Sequence, residues 1–362
     1  MGFSVHLNVQ LKFYNLPYCK NLEEKIFNKH TDLTVEPDEL IIISGYLGPS
    51  PVERLKELPF KTTVIAGMYT RGVNPKLYNA LKKSTENNPN LTVLFSSIEV
   101  HSKIYIWLKN HKPKYVLIGS ANFSDNGLLT DFRESLADMD LRDYINLLDY
   151  YEIVKENSTQ TPTLTTQYQK KAKQDSFKNT DIINNLDEKN GELSINLPLY
   201  ASTKKRGKYV PTKSGLNWGL SSGHTAIGDA YISIPKVVIN SSANFFPPFD
   251  PNYKSKSKRK RDSDPIEIIW DDGTVMEASA EGIQKGQNGK SFPKQLTSYS
   301  SKGKKELGGI SKKSILGRYL RKRMNFSDPE RLITINDLEN YGRDNVTFTK
   351  ISDGVYGADF SV

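Results

Sequence analysis

His101-Ser102-Lys103 is the segment of this chain whose residue types and spacing best suit chemistry on a substrate. It opens an apolar, strand-like run, Lys103 to Trp107, so His101 and Lys103, two residues apart, leave the strand on one face. At the end of the next such run, Tyr115 to Ile118, stands Gly119-Ser120-Ala121-Asn122, where a turn can bring a hydroxyl and an amide beside the first pair. An imidazole, an ammonium, a hydroxyl and an amide together supply one nucleophile and several donors for the non-bridging oxygens of a phosphodiester. The other histidines, His6, His30, His111 and His224, have no such neighbours in sequence, and the single cysteine, Cys19, cannot build a disulfide framework or a multi-cysteine zinc site.

The two segments, in this order on consecutive strands, resemble the phospholipase D superfamily signature, H-x-K followed by G-S-x-N. The resemblance implies that His101 attacks phosphorus to form a covalent phosphohistidine, that Lys103, Ser120 and Asn122 hold the phosphoryl oxygens, and that neither metal nor cofactor is needed. The usual pattern puts an aspartate five residues after the lysine, and here that position is Leu108. The replacement expected to orient the histidine is Glu134, in Arg133-Glu134-Ser135-Leu136, with Asp125 and Asp131 as nearby competitors. A glutamate at this distance is similar to the restriction-endonuclease branch. Members of the superfamily place two H-x-K motifs around one pocket, and this chain has one, so an obligate homodimer with a single composite active site is implied.

Strand and helix must alternate to hold such a site. Leu40 to Tyr46, Thr63 to Tyr69, Leu91 to Phe95, Lys103 to Trp107 and Tyr115 to Ile118 read as strands; Leu22 to Phe27, Pro51 to Leu58, Pro75 to Leu81 and Leu141 to Val154 read as helices. Residues 1–157 are therefore expected to form an α/β layered domain, and the resemblance implies that it is phospholipase-D-like, with a mixed sheet, and carries catalysis and dimerisation. Residues 158–189 are polar and without sustained periodicity, and read as a linker. Residues 190–362 turn to short strands between Gly and Pro turns: Tyr231 to Ile234, Glu267 to Trp270, Thr274 to Glu277, Leu332 to Ile335, Val346 to Ile351 and Val355 to Asp359. A small β-rich barrel or sandwich is expected there.

Charge divides at the same place. Of 50 Lys+Arg and 41 Asp+Glu, residues 1–157 hold 18 and 19, leaving 32 and 22 for residues 158–362, a net of −1 against +10. Basic side chains gain affinity for a polyanion by releasing counterions from phosphates, so nucleic acid is the expected partner of the second half, and the resemblances make it double-stranded DNA. Three basic stretches carry the excess: Lys204-Lys205-Arg206 with Lys208, Lys254 to Arg261, and Arg318 to Arg323. Two segments, Ser202 to Trp218 and Glu281 to Ser298, add groups that can bond base edges, among them Gln284, Lys285, Gln287, Asn288, Lys290, Lys294 and Gln295. Gly289-Lys290-Ser291 is no nucleotide loop, because Gln284 stands where its first glycine belongs.

Gly215-Leu216-Asn217-Trp218-Gly219, Asp229 to Pro235, Phe245-Phe246-Pro247 and Leu316 to Arg321 resemble the C-terminal domain of NgoFVII-type restriction endonucleases, a pseudobarrel similar to the DNA-binding domain of certain plant transcription factors. That domain grips the major groove with two arms like a wrench, and the resemblance assigns the arms to the two segments above, with Asn217 and Trp218 on the first. The whole is expected to be a type II-like, sequence-specific, metal-independent DNA endonuclease. The alternatives are a lipid phospholipase D and a catalytically inert DNA-binding regulator. Cleavage driven by a separate ATPase or helicase subunit, as in some relatives, is left open. No apolar run approaches the roughly 20 residues of a membrane span, and neither a secretion signal nor a myristoylation signal is present, so a cytoplasmic protein is expected.

Overall fold

The computed structural model describes residues 13–14, 22–130, 133–139, 144–165, 194–242, 244–250 and 263–362. Two compact units result, Met1–Val73 with Tyr78–Thr165, and Thr166–Val362 with Asn74–Leu77. Most of the expected linker, the basic run Lys254 to Arg261, Asp131, His6 and Cys19 lie outside the described residues. Among the described residues no helix is long and apolar enough to cross a membrane.

The first unit is an eight-stranded mixed sheet. In chain order its strands are β1 (Phe13–Tyr14), β2 (Glu39–Ser44), β3 (Lys61–Ala66), β4 (Leu91–Ser96), β5 (Lys103–Lys109), β6 (Lys112–Gly119), β7 (Leu136–Asp138) and β8 (Ser158–Thr159), and in space they run β1-β7-β6-β5-β2-β3-β4-β8. β2, β3 and β4 are parallel; β5 runs antiparallel to β2 and opens the meander to β6 and β7. Five short or medium helices belong to this stretch: α1 (Leu22–Phe27), α2 (Lys29–Asp32), α3 (Pro49–Arg54), α4 (Pro75–Glu86) and α5 (Asp125–Leu129). A longer one, α6 (Tyr144–Glu156), lays Leu147, Tyr151 and Val154 on Ile41, Ile43, Ile104 and Ile106 of the sheet. β2 is buried from Leu40 to Ser44, which is why it reads as an unbroken apolar run rather than an alternation. The β5–β6 hairpin turns on Asn110 and His111, both at positive φ, so His111 is a turn residue. Ser158–Thr159 pairs with the edge of β4, so this sheet continues past residue 157.

The second unit is a seven-stranded sheet ordered β12-β15-β14-β13-β17-β16-β9, from β9 (Ser194–Pro198), β12 (Ile232–Ser233), β13 (Ser263–Trp270), β14 (Val275–Lys285), β15 (Ser291–Ser298), β16 (Asn345–Ser352) and β17 (Val355–Asp359). Its end strands β9 and β12 lie close together, so the sheet nearly closes into a barrel. β16 alternates strictly, with Val346, Phe348, Lys350 and Ser352 inward, the period-2 pattern legible in sequence. Phe292, Leu296, Trp270, Phe348 and Phe360 fill the interior. Outside the barrel, β10 (Ala201–Thr203) and β11 (Gly207–Tyr209) form a separate hairpin. Three helices, α7 (Lys236–Ser241), α8 (Ser314–Arg323) and α9 (Ile335–Tyr341), complete the unit. The expected strand Leu332 to Ile335 is instead the approach to α9: Thr334 caps the helix, and its hydroxyl and the Asp337 carboxylate close a reciprocal capping box.

Candidate active site and recognition surface

Three of the five expected catalytic residues meet at one point, and that point is a missing side chain. Gly45 follows β2 directly, and a Cβ built on it would stand 3.1 Å from His101 Cδ2, 3.2 Å from Asn122 Oδ1 and 3.3 Å from Lys103 Nζ. The imidazole, the amide and the ammonium therefore line a space that only glycine leaves open. Nothing in the H-x-K or G-S-x-N patterns pointed to Gly45. The available signal was a glycine at the end of an unbroken apolar strand, where a close approach is a common reason for one.

Local bonding explains how each group is held. His101 lies just before β5 and is exposed; the preceding Val100 donates its N–H to the Gly67 carbonyl at 3.0 Å, so close that a Cβ on Gly67 would lie 2.0 Å from the Val100 carbonyl oxygen. Lys103 is buried, and its Nζ donates to the His101 carbonyl at 2.5 Å. Ser102 points the other way, its hydroxyl 2.6 Å from the Tyr150 hydroxyl on α6. The alternation expected of a strand is thus observed, with histidine and lysine toward the pocket and serine into the helical layer. Asn122 Oδ1 accepts the Tyr46 N–H at 3.1 Å, which leaves the amide Nδ2 as a donor. The Asn122 loop is locked to the end of β2: Phe123 N–H donates to Ser44 Oγ at 2.9 Å, Gly48 N–H to the Phe123 carbonyl at 2.9 Å, and the buried Tyr105 hydroxyl to the Ala121 carbonyl at 2.8 Å.

Ser120 and Glu134 stand on the neighbouring side. Ser120 N–H donates to the Ser135 carbonyl at 3.0 Å and Ser135 N–H to Ser120 Oγ at 3.1 Å, which leaves the exposed Ser120 hydroxyl its own proton to donate. Glu134, next to Ser135, acts electrostatically on Lys103: burial holds the ammonium pKa below its ordinary value, and the Glu134 charge opposes that shift. Burial, and then the Lys103 charge, likewise hold the His101 imidazole below its ordinary value; the carboxylate that opposes this shift is Glu99. Asp125, the other candidate, is buried in the first turn of α5.

In the second unit the expected readers separate into two kinds. Lys204, Lys205, Arg206 and Lys208 lie exposed on the β10–β11 hairpin, and Lys208 is tethered to Asp344 at 2.8 Å. Lys285, Gln287, Asn288 and Lys290 lie exposed around the turn between β14 and β15, with Lys294 exposed on β15. Both hairpins present their polar groups to solvent.

Asn217 must be corrected. It is fully buried, its Nδ2 donates to the Pro211 and Ile333 carbonyls at 3.0 and 2.7 Å, and its Oδ1 accepts from Ile333 N–H at 2.8 Å and from Arg321. Such a side chain splices the first arm to the approach of α9 and cannot reach a base. Gln284 donates to the Ile234 and Pro293 carbonyls, and the buried Gln295 donates to Glu281, so these two are also structural. Trp218 is half-buried, edge-on to Tyr231 and under Lys313. The run Arg318 to Arg323 is largely internal: Arg321 is buried against the Arg331 and Gly317 carbonyls, and Arg323 makes a two-pronged bond to Asp271 at 3.0 and 2.7 Å.

Two family profiles match the chain. The profile of the NgoFVII restriction endonuclease N-terminal PLD domain matches residues 20–168, and that of the NgoFVII C-terminal B3-like DNA-binding domain matches residues 191–352. Among solved structures, the chain is similar to NucT from Helicobacter pylori, at 19% identity and a TM-score of 0.30, over 41% of this chain and 97% of that one. It is similar to the polyphosphate kinase from Porphyromonas gingivalis at 13% identity and a TM-score of 0.31, over 41% of this chain and 26% of that one. Nuc from Salmonella typhimurium, a phospholipase D family member, matches at 10% identity and a TM-score of 0.25, over 36% of this chain and 84% of that one. No curated protein matches the chain.

Proposed function

The chain belongs to the NgoFVII restriction endonuclease family, a PLD domain followed by a B3-like DNA-binding domain, and from that premise we propose that it hydrolyses double-stranded DNA at or near a short recognition sequence, without a metal ion, through a phosphohistidine on His101. The observation that carries this reading is the convergence of His101, Lys103 and Asn122 on the space at Gly45. A phosphoryl group seated there has a nucleophile beside it and two donors for its non-bridging oxygens.

In the first step a His101 ring nitrogen attacks phosphorus, the N–P bond forms as the P–O bond to the leaving nucleoside breaks, and the leaving oxygen takes a proton from a second imidazole. In the second step water attacks the phosphohistidine, gives its proton to that imidazole, and the N–P bond breaks to free the phosphate end and His101. Burial and Lys103 favour the neutral, nucleophilic form of His101. The Lys103 ammonium and the Asn122 amide stabilise charge on the phosphoryl oxygens, and the Ser120 hydroxyl is the further donor. Glu134 supports the cationic form of Lys103. The second imidazole is the His101 of another copy, which makes the working unit a homodimer with one composite site. Recognition belongs to the two exposed hairpins of residues 190–362.

The test is plasmid cleavage in EDTA by the wild type and by His101→Ala, with DNA binding measured in parallel. Cleavage in EDTA by the wild type, its loss in the variant and unchanged binding are expected. A variant that keeps more than a few per cent of the cleavage rate, or a wild type silenced by EDTA and restored by a divalent cation, overturns the mechanism.

A further inference from the structure

Between β15 and α8 lies a lysine-rich segment that neither arm includes: Lys302, Lys304, Lys305, Lys312 and Lys313, with Glu306 as the one acid among residues 301–313. Its two ends are used differently. Lys312 and Lys313 brace the root. Lys312 donates to the Ser300 carbonyl at 2.5 Å and stands over the Tyr299 ring; Lys313 pairs with Glu281 of β14 at 2.6 Å and stands over the Trp218 ring. The root therefore touches both segments expected to grip DNA, the end of the first arm through Trp218 and the base of the second through Glu281.

The tip is shaped but unspent. Glu306 accepts the Gly303 N–H, Leu307 N–H donates to the Gly303 carbonyl, and Gly309 N–H donates to the Lys304 carbonyl at 2.8 Å. Gly308 and Gly309, both at positive φ, then reverse the chain. These bonds spend the backbone and the one carboxylate on the loop itself. Lys302, Lys304 and Lys305 remain exposed, and among the described residues none of the three has an ion-pair partner.

We propose that the Lys302–Lys305 tip is a third DNA contact, a phosphate clamp beside the two arms that adds affinity without reading sequence. The inference rests on the proposed DNA recognition by this unit. A shaped loop holding three ammonium groups, rooted on the two segments proposed to grip DNA, suits phosphate positioning: lysine is a compact point charge, and phosphates present the same face at every base pair.

The experiment uses the full-length protein and the triple variant Lys302→Gln/Lys304→Gln/Lys305→Gln. Affinity for a mixed-sequence duplex is measured at several salt concentrations in EDTA, and the sequences each protein retains from a pool of random duplexes are determined. Each lost phosphate contact removes about 0.9 from the slope of log Kobs against log salt. A slope smaller by at least about 0.9, and by up to about 2.7 for three contacts, is expected, with the same retained motif in both proteins. A smaller change in slope, or a different motif, overturns the clamp. A wild type that retains no motif at all would instead count against sequence recognition, and the slope would still decide whether the tip meets phosphate.

Discussion

Gly45 shows how much of this site depends on what is absent. A single methyl at that position would crowd the imidazole, the amide and the ammonium at 3.1 to 3.3 Å, in the space the phosphoryl group is proposed to fill. Gly45→Ala, which makes these groups give by a few tenths of an ångström, is therefore expected to lower cleavage roughly 10-fold, short of the about 100-fold of a 1 Å misplacement, while leaving the melting temperature and DNA affinity close to wild type. Cleavage within a few-fold of wild type would show that the space is not the phosphoryl seat. The pH dependence follows from His101. Its folded pKa lies below the ordinary 6.5 because burial and Lys103 disfavour the cation. The acid limb of kcat/KM, where the nucleophile is lost to protonation, should accordingly fall below pH 6.5. Glu99 raises that pKa, so Glu99→Gln should move the limb further toward acid. A limb that moves to higher pH in Glu99→Gln would contradict the assignment.

At the scale of elements, the motif that carries the family resemblance in the second half proves to be framework. Asn217 satisfies four backbone and side-chain partners. Asn217→Ala would strand the buried Ile333 and Pro211 groups, and it is expected to cost at least about 2 kcal/mol of stability, with the retained DNA motif unchanged at a temperature where the variant is folded. A changed motif with wild-type melting would reverse that reading. This marks the limit of sequence reading. Strands β2 to β6 were legible because their apolar runs are long and their faces are set by the sheet, and His101, Lys103 and Asn122 were legible because a strand and a turn fix their spacing. Asn217 was misplaced because an amide bonds a carbonyl as readily as a base edge, and only the fold says that its partner, Ile333, is 116 residues away. Leu332 to Ile335 read as a strand because its β-branched residues outweighed the cap formed by Thr334 and Asp337. Gly45 carried only the general signal of a glycine at a strand end, since the neighbours that give it a role come from two other segments.

For the whole molecule, the proposed composite site makes catalysis a property of pairs. At constant total protein, replacing half of the wild type by His101→Ala, under conditions that exchange subunits, should leave about one quarter of the activity if both imidazoles are needed in one dimer, against about one half for independent sites. Activity at one half would remove the composite site while leaving the chemistry at His101 untouched. The turn between β14 and β15 has a different kind of consequence. Gly286 N–H donates to the Lys290 carbonyl and Gly289 N–H to the Gly286 carbonyl, Asn288 Oδ1 accepts the Lys290 N–H at 3.0 Å, and the Gln287 N–H is tied to Asn240 Oδ1 on α7, so the tip is held by its backbone and one amide while the Gln287 and Lys290 side chains lie exposed. The identities of Gln287 and Lys290 cost the barrel almost nothing, since the turn uses their backbone and not their side chains. If the proposed recognition by this hairpin holds, a chain built this way can drift to a new DNA target by exchanging a few letters at the tip, with no compensating change in its interior.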